Sequence, residues 1–190
     1  MNEKKRAVFL DRDGTINVEK NYLYRCEDFN FLPGVPLALK RLQDAGYLLV
    51  VVTNQSGVAR GYYGLEDVDV LHEHMRQLLL DFGVILSGIH VCPHHPEGLP
   101  GNLFACDCNC RKGQPGMLLQ AAQDLNIDLS ASFMIGDKVS DLEAGNRAGC
   151  QSILVKSGAV TLLSDEIADY CPTVFNGLDE AAQYILTLEA

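Results

Sequence analysis

Four short stretches carry residues able to act on a phosphate ester together. "FLDRDGT" (9–15) sets Asp11 and Asp13 one residue apart, directly after an apolar run. "TNQSG" (53–57) supplies Thr53, Asn54, Gln55 and Ser56, short hydroxyl and amide side chains that can donate hydrogen bonds to phosphate oxygens. Arg111 and Lys112 form a cationic pair, and "GDKVSD" (136–141) brings Asp137, Lys138 and Asp141. Alone, each would pass for a turn or a cap, where Asp and Gly are favoured. As a set they suit attack by a carboxylate on a phosphate monoester. Such an attack brings like charges together: two unit charges ~4 Å apart repel by about 4 kcal/mol at an effective dielectric of 20, and a phosphate dianion roughly doubles that. Mg2+ offsets the repulsion, because it is a hard cation that takes one or two carboxylates together with the phosphate. Asp11 and Asp137 are expected to supply the carboxylates, Lys112 a positive charge for the equatorial oxygens, and Thr53 and Asn54 hydrogen bonds to the transferring group. One carboxylate then serves as nucleophile, while Asp13 protonates the leaving oxygen and later deprotonates water.

A second constellation lies in "CPHHPEGLPGNLFACDCNCRK" (92–112), a long loop with little to bury. Cys92 and His94, followed by Cys106, Cys108 and Cys110, offer the thiolate and imidazole ligands that tetrahedral Zn2+ prefers, with three late cysteines where two complete the set. Four protein ligands leave no open position, so this zinc is expected to be structural, worth on the order of 10 kcal/mol to the loop. His72 and His74 in "LHEHMRQ" read as solvated helix residues, His95 as a neighbour of the ligands, and Cys26, Cys150 and Cys171 as incidental.

The elements that must position these residues alternate along the chain. Apolar runs at 7–10, 47–52, 89–91, 133–135 and 152–155 are short and continuous, as buried parallel strands are. Stretches with 3.6-residue spacing at 36–46, 66–83, 116–125 and 140–149 read as helices, several closed by glycine. Strand and helix in alternation predict an α/β fold whose ligand lies outside the carboxyl ends of the strands. Each of the four reactive stretches follows a strand or opens a helix. The segment 17–31, with aromatics near alternate positions, reads as a β-hairpin flap over the end of the first strand.

Composition narrows the classes. With 190 residues and 47% hydrophobic content the chain can bury about two-thirds of its unfolded surface, enough for one globular domain. A net charge of -10 argues against nucleic acid as a partner, which calls for a broad basic surface. "LLVVV" (48–52) is far too short for a membrane span, and the odd count of seven cysteines argues against a disulfide framework, so a cytoplasmic protein with reduced thiols is expected. No apolar helix face is obviously left over, which favours a monomer.

"DRDGT", "TNQSG", "RK" and "GDKVSD", in this order and at strand ends, resemble the haloacid dehalogenase superfamily of phosphatases over roughly residues 6–160. The resemblance implies Asp11 as nucleophile, Asp13 as general acid/base and a magnesium ligand through its backbone carbonyl, Thr53 and Lys112 as phosphate binders, Asp137 as a magnesium ligand and Asp141 as support for the acidic cluster. It also implies a Rossmann-like three-layer sandwich with a mostly parallel sheet and no large cap, making 1–190 one phosphatase domain. "DRDGTIN", "TNQSGVARG", "CPHHP" and "CNCRK" together are similar to the heptose-bisphosphate phosphatases within it, with histidinol-phosphate phosphatases as near relatives. A sugar bisphosphate losing its C7 phosphate, on the way to nucleotide-activated heptose for surface glycans, is the expected substrate, its anomer left open. By the same resemblance Glu19, Asn21 and Tyr22 of the flap, Lys138, and Arg111 on the distal phosphate hold the substrate, with Arg12, Asn54, Gln55 and Ser56 completing the set. In that family the last zinc ligand directly precedes Arg-Lys, which selects Cys92, His94, Cys108 and Cys110 and leaves Cys106 as the competitor. One position departs: where the family commonly has proline after Arg-Lys, this chain has Gly113. A phospho-aspartate receiver without turnover shares the α/β sheet, the acidic residues and the lysine but has no use for Asp13 or the zinc loop, and an end-healing nucleic-acid phosphatase conflicts with the acidic charge.

Overall fold

The computed structural model describes residues 3–156 and 173–188; Cys171 lies outside them. In chain order the elements are β1 (Ala7–Leu10), α1 (Val35–Asp44), β2 (Leu48–Asn54), α2 (Leu65–Leu80), β3 (Gly88–Cys92), α3 (Gly116–Leu125), β4 (Phe133–Gly136), α4 (Val139–Ala148), β5 (Gln151–Val155), β6 (Val174–Phe175) and α5 (Leu178–Thr187). The strands form one sheet in the order β3-β2-β1-β4-β5-β6, and every pairing is parallel. The short apolar runs of the sequence became its first five strands. β6 and α5 lie beyond the elements expected from the sequence.

Because successive side chains in a strand point to opposite faces, each strand feeds two cores. Val8 and Leu10, Leu49 and Val51, Ile135 and Ile153 pack against α1, α2 and α5, where Leu39, Leu42, Leu71, Met75, Leu79 and Ile185 recur at helical spacing. Ala7, Phe9, Val50, Val52 and Met134 turn the other way, onto Met117, Leu118 and Ala121 of α3 and Ala144 of α4. Each fully buried Leu or Phe contributes roughly 1.5–3 kcal/mol, so this double core is what holds the layers in place.

Register aligns the strand ends. Leu10 of β1 stands level with Val51 of β2 and Ile135 of β4, and the Asp11 amide donates to the Ile135 carbonyl at 2.9 Å. The residues that follow β1, β2 and β4 therefore leave the sheet at one edge, which is where an α/β sheet receives its ligand.

The segment 17–31 differs from the expected hairpin in how much of it is strand. Only its base is paired antiparallel, with Val18 N–H donating to the Asn30 carbonyl (2.9 Å) and Leu32 N–H to the Ile16 carbonyl (3.0 Å) around an isolated Asn17–Phe31 bridge. Beyond the base the chain turns through Asn21 and Tyr22, both in the left-handed region (φ 38° and 62°), then a short 3-10 turn at Cys26–Asp28. Buried Leu23 and Phe29 anchor it to the core in place of cross-strand pairs.

Candidate active site

Asp11 emerges from β1 onto the floor of a polar cleft of about 210 Å3. One of its oxygens, Oδ1, accepts from the Arg12 amide at 2.7 Å and lies 2.5 Å from the Lys112 ammonium. Lys112 also reaches the Asp141 carboxylate at 2.8 Å, and carboxylate oxygens of Asp11, Asp137 and Asp141, all buried, lie within 4.8 Å of one another. Burial pushes the Asp11 carboxyl well above the usual carboxylate range; Lys112 pulls it down, and the charges of Asp141 and Asp137 push with burial. Burial opposes charge on Lys112 too, yet Asp11 and Asp141 raise it above the ordinary lysine value, so it stays an ammonium. Three buried carboxylates, two of them paired with Lys112, bring only oxygen donors and excess negative charge to one place, a set that fits Mg2+.

Two glycines make this packing possible. A side chain on Gly136 would stand 2.2 Å from Asp141 Oδ2, so its bare backbone lets the first turn of α4 bring that carboxylate under the cleft. Gly113 sits at φ 97°, a conformation closed to proline, and its N–H donates to the Ser140 carbonyl at 2.8 Å. Its own carbonyl accepts from Arg147. The loop after Lys112 is thus held by hydrogen bonds.

Asp13 is surrounded by donors. Arg12 places Nε and Nη2 on its two oxygens (2.8 Å for the shortest contact), Asn17 Nδ2 donates at 2.9 Å and Gln55 Nε2 at 3.1 Å. Burial alone would raise the Asp13 carboxyl; Arg12 first, then these hydrogen bonds, bring it below the usual carboxylate range. Arg12 itself is completely buried, its remaining donors taken by the Leu23 carbonyl (3.1 Å) and His72 Nε2 (3.0 Å). The expected substrate-binding role of Arg12 is therefore corrected: no part of its guanidinium reaches the cleft. Gln55 is tied down as well, since Tyr63 Oη donates to its Oε1 and its Nε2 also reaches Thr53 Oγ1, both at 2.8 Å. Thr53 is buried beneath, and Asn54 Oδ1 accepts the Lys112 amide at 2.9 Å while its side chain lines the cleft beside Ser56.

The rim is made by Glu19, Asn21 and Tyr22 of the flap, with Lys138 and Ser140 opposite. Lys138 Nζ and Glu19 Oε2 meet at 3.0 Å, so an ion pair joins flap to α4. The Tyr22 ring stands edge-on to Tyr62, centroids 4.7 Å apart. Arg111 lines a neighbouring cavity of about 300 Å3 with His95 and Arg147, a cavity that shares Lys112 with the cleft, and it donates to the His94 carbonyl at 3.2 Å.

That carbonyl belongs to the cysteine cluster. The sulfurs of Cys92, Cys108 and Cys110 lie 3.3–3.5 Å apart, and His94 Nδ1 is 3.3 Å from Cys110 and 3.7 Å from Cys92. A tetrahedron of ~2.3 Å Zn–S bonds has sulfurs about 3.8 Å apart, so the three thiols and one imidazole nitrogen need only small outward shifts to fit zinc. Cys106 is exposed and stands outside this group. Cys110 directly precedes Arg111 and Lys112, so a metal in this cluster anchors the backbone that carries both cations.

His72 overturns its sequence expectation. It is 5% exposed, in line with Val68, Leu71, Met75 and Leu79 on the inner stripe of α2, and it faces Arg12 rather than water. Its place in that stripe was the signal available; Tyr63 and Ser140 gave none.

The family described as HAD-hydrolase-like matches residues 109–181, which include Lys112, Asp137 and Asp141. The chain is 48% identical over 184 residues to the D-glycero-β-D-manno-heptose-1,7-bisphosphate 7-phosphatase of Haemophilus ducreyi, spanning 95% of this chain and 98% of that one. It is 44% identical over 181 residues to the enzyme of the same name from Escherichia coli K12, covering 94% and 93%. The crystal structure of D,D-heptose 1,7-bisphosphate phosphatase from B. bronchiseptica, complexed with magnesium and phosphate, superposes with a TM-score of 0.84 at 32% identity, over 97% of this chain and 99% of that one. A sheet edge carrying buried carboxylates and a lysine, a cysteine–histidine loop beside it, and near full-length identity lead to one conclusion: the chain is a phosphoric monoester hydrolase belonging to the heptose-1,7-bisphosphate 7-phosphatase family of HAD-like hydrolases.

Proposed function

We propose that the chain removes the C7 phosphate of D-glycero-β-D-manno-heptose 1,7-bisphosphate through an aspartyl-phosphate on Asp11. The observation that carries this reading is the buried Asp11–Lys112 pair on the cleft floor, 2.5 Å apart, with Asp137 and Asp141 beside it. The Lys112 ammonium and the Arg12 amide hold Oδ1 of Asp11, which leaves its other oxygen to attack phosphorus. As that bond forms, the bond from phosphorus to the sugar oxygen breaks, and Asp13, ionised until the negative phosphate enters beside it, takes up a proton with the substrate and gives it to the departing oxygen. Asp13 then takes a proton from water as it cleaves the phosphoaspartate, so the same carboxylate serves both halves. Lys112 presents its charge to the equatorial oxygens, and Asn54 and Ser56 line the side from which hydrogen bonds can reach them. Asp11, Asp137 and the Asp13 carbonyl would hold Mg2+, which would supply the charge neutralisation needed for two anions to meet. Asn21, Tyr22, Glu19 and Lys138 meet the sugar at the rim, and Arg111 receives the distal phosphate from the neighbouring cavity. Gln55 lines the cleft and also donates to Asp13, whereas Arg12 acts on Asp13 from within the protein.

The β anomer is the one in the names of the curated relatives. No helix among the described residues is long and apolar enough to cross a membrane, in keeping with action in the cytoplasm. We take the enzyme to be a single-domain monomer with a place in nucleotide-activated heptose synthesis. A panel of both heptose bisphosphate anomers and histidinol phosphate tests the substrate: the β heptose is expected to have the highest kcat/KM, and a preference for histidinol phosphate would overturn that assignment. Asp11→Ala tests the chemistry, since phosphate release at the parental rate is incompatible with a phosphoaspartate.

A further inference from the structure

The donors around Asp13 continue into the protein, away from the cleft. Arg12 Nη1 meets His72 Nε2 at 3.0 Å, on a helix 60 residues further along the chain. Arginine can only donate, so Nε2 must be the acceptor and the His72 proton sits on Nδ1. The other side of the same guanidinium donates to the Leu23 carbonyl, at the inner end of the flap, and its fork lies on Asp13. The charged and titratable groups facing this pair are Asp13, Arg76 of α2 and Tyr63 from the loop before it.

We propose that His72 is a positioning residue for the reaction: by accepting from Arg12 it sets the plane of the guanidinium, and the guanidinium sets the Asp13 carboxylate. This rests on the acid/base role assigned to Asp13 above. The stripe of α2 around His72 is otherwise filled by Val68, Leu71, Met75 and Leu79, so burial alone would be served by any apolar side chain. What only an acceptor supplies is a partner for a fully buried donor. Without it the guanidinium is held by Asp13 and Leu23 alone and can pivot about them, and a carboxylate displaced by a fraction of an ångström transfers its proton less well. Burial, then the charge of Arg12, keeps His72 neutral, the form that can accept.

Leaving groups distinguish this role from a general loss of packing. A sugar hydroxyl leaves poorly unless it is protonated, whereas p-nitrophenolate needs no acid. His72→Leu is expected to lower kcat on heptose bisphosphate about tenfold with KM within roughly twofold, while the pre-steady-state burst of p-nitrophenolate from p-nitrophenyl phosphate keeps its rate. His72→Gln, whose Oε1 can accept from Arg12, should restore most of the loss. Should His72→Leu fail to fold, His72→Asn, polar but too short to reach Arg12, takes its place with the same expectation. Equal losses on both substrates, no loss on either, or a Gln variant no better than the Leu or Asn variant would overturn the proposal. Asp13→Asn in the parent background separates the two levels: it must show the same split between leaving groups, and if it does not, the role given to Asp13 is what fails.

Discussion

His72 makes a prediction for stability that can be worked through. Its ordinary value of 6.5 is lowered in the folded protein to about 3, by burial first and then by Arg12 and Arg76, against the pull of Asp13. Between these two values the unfolded chain carries a proton that the folded protein refuses. Stability therefore rises with pH across this window by about 1.36 kcal/mol per unit. The contribution is fully present above 6.5, and it is lost progressively as the pH falls toward 3. At pH 5, 1.5 units below the unfolded value, the loss is about 2 kcal/mol. Carboxylates titrate in the same range, so the quantity to measure is a difference: urea unfolding of the parent and of His72→Gln, with magnesium constant, at half-unit steps from pH 8 to pH 4.5. Glutamine keeps an acceptor for Arg12 and does not titrate. The stability gap should be flat above pH 7 and should move in favour of the variant by about 2 kcal/mol at pH 5. A gap independent of pH would mean that His72 can be protonated in place, and the buried Arg12–His72 contact could not then be as described.

Other sites give sharper signs than magnitudes. Asp11→Asn should abolish turnover yet raise the melting temperature of zinc-loaded, magnesium-free protein at pH 8, because burial disfavours the ionised carboxylate; the gain should shrink as the pH falls, and thermal melts across pH check it. Cys110→Ser should lower both the bound zinc, measured by atomic absorption, and kcat through the backbone of Arg111 and Lys112, whereas Cys106→Ser should leave one zinc per chain and the parental rate. Gly113→Pro should destabilise the protein by about 2–4 kcal/mol in urea and raise KM, since φ 97° and the bond to Ser140 are both lost.

What could be read from the chain and what could not divide along a physical line. Asp11, Lys112 and Asp137 were legible because each is tied to a local signal: a buried strand that stops, a pair of cations before a helix, a glycine before a carboxylate. That the first five strands are parallel was legible from their continuous apolar runs, as strands buried on both faces show; their order in the sheet was not. β6 was not, being two residues long, and α5 shows the opposite failure, because its spacing of Leu178, Ala181, Ala182 and Ile185 was in plain view.

The roles of Arg12, Gln55 and His72 were hidden by something else. Each is a polar residue with at least one partner remote in sequence, so nothing local separates a side chain that faces a ligand from one that faces another side chain. Arg12 stands between two catalytic candidates, and its type suggests phosphate binding; only the fold reveals that α2 and the flap close over it and remove it from the cleft. A buried guanidinium must find acceptors, and the chain provides them at positions 13, 23 and 72. Those three belong to the catalytic turn, the flap and the helical layer. The requirement that Arg12 be satisfied thus couples the Asp13 carboxylate to both elements that enclose it, and a histidine that periodicity alone marks as core brings α2 to bear on it.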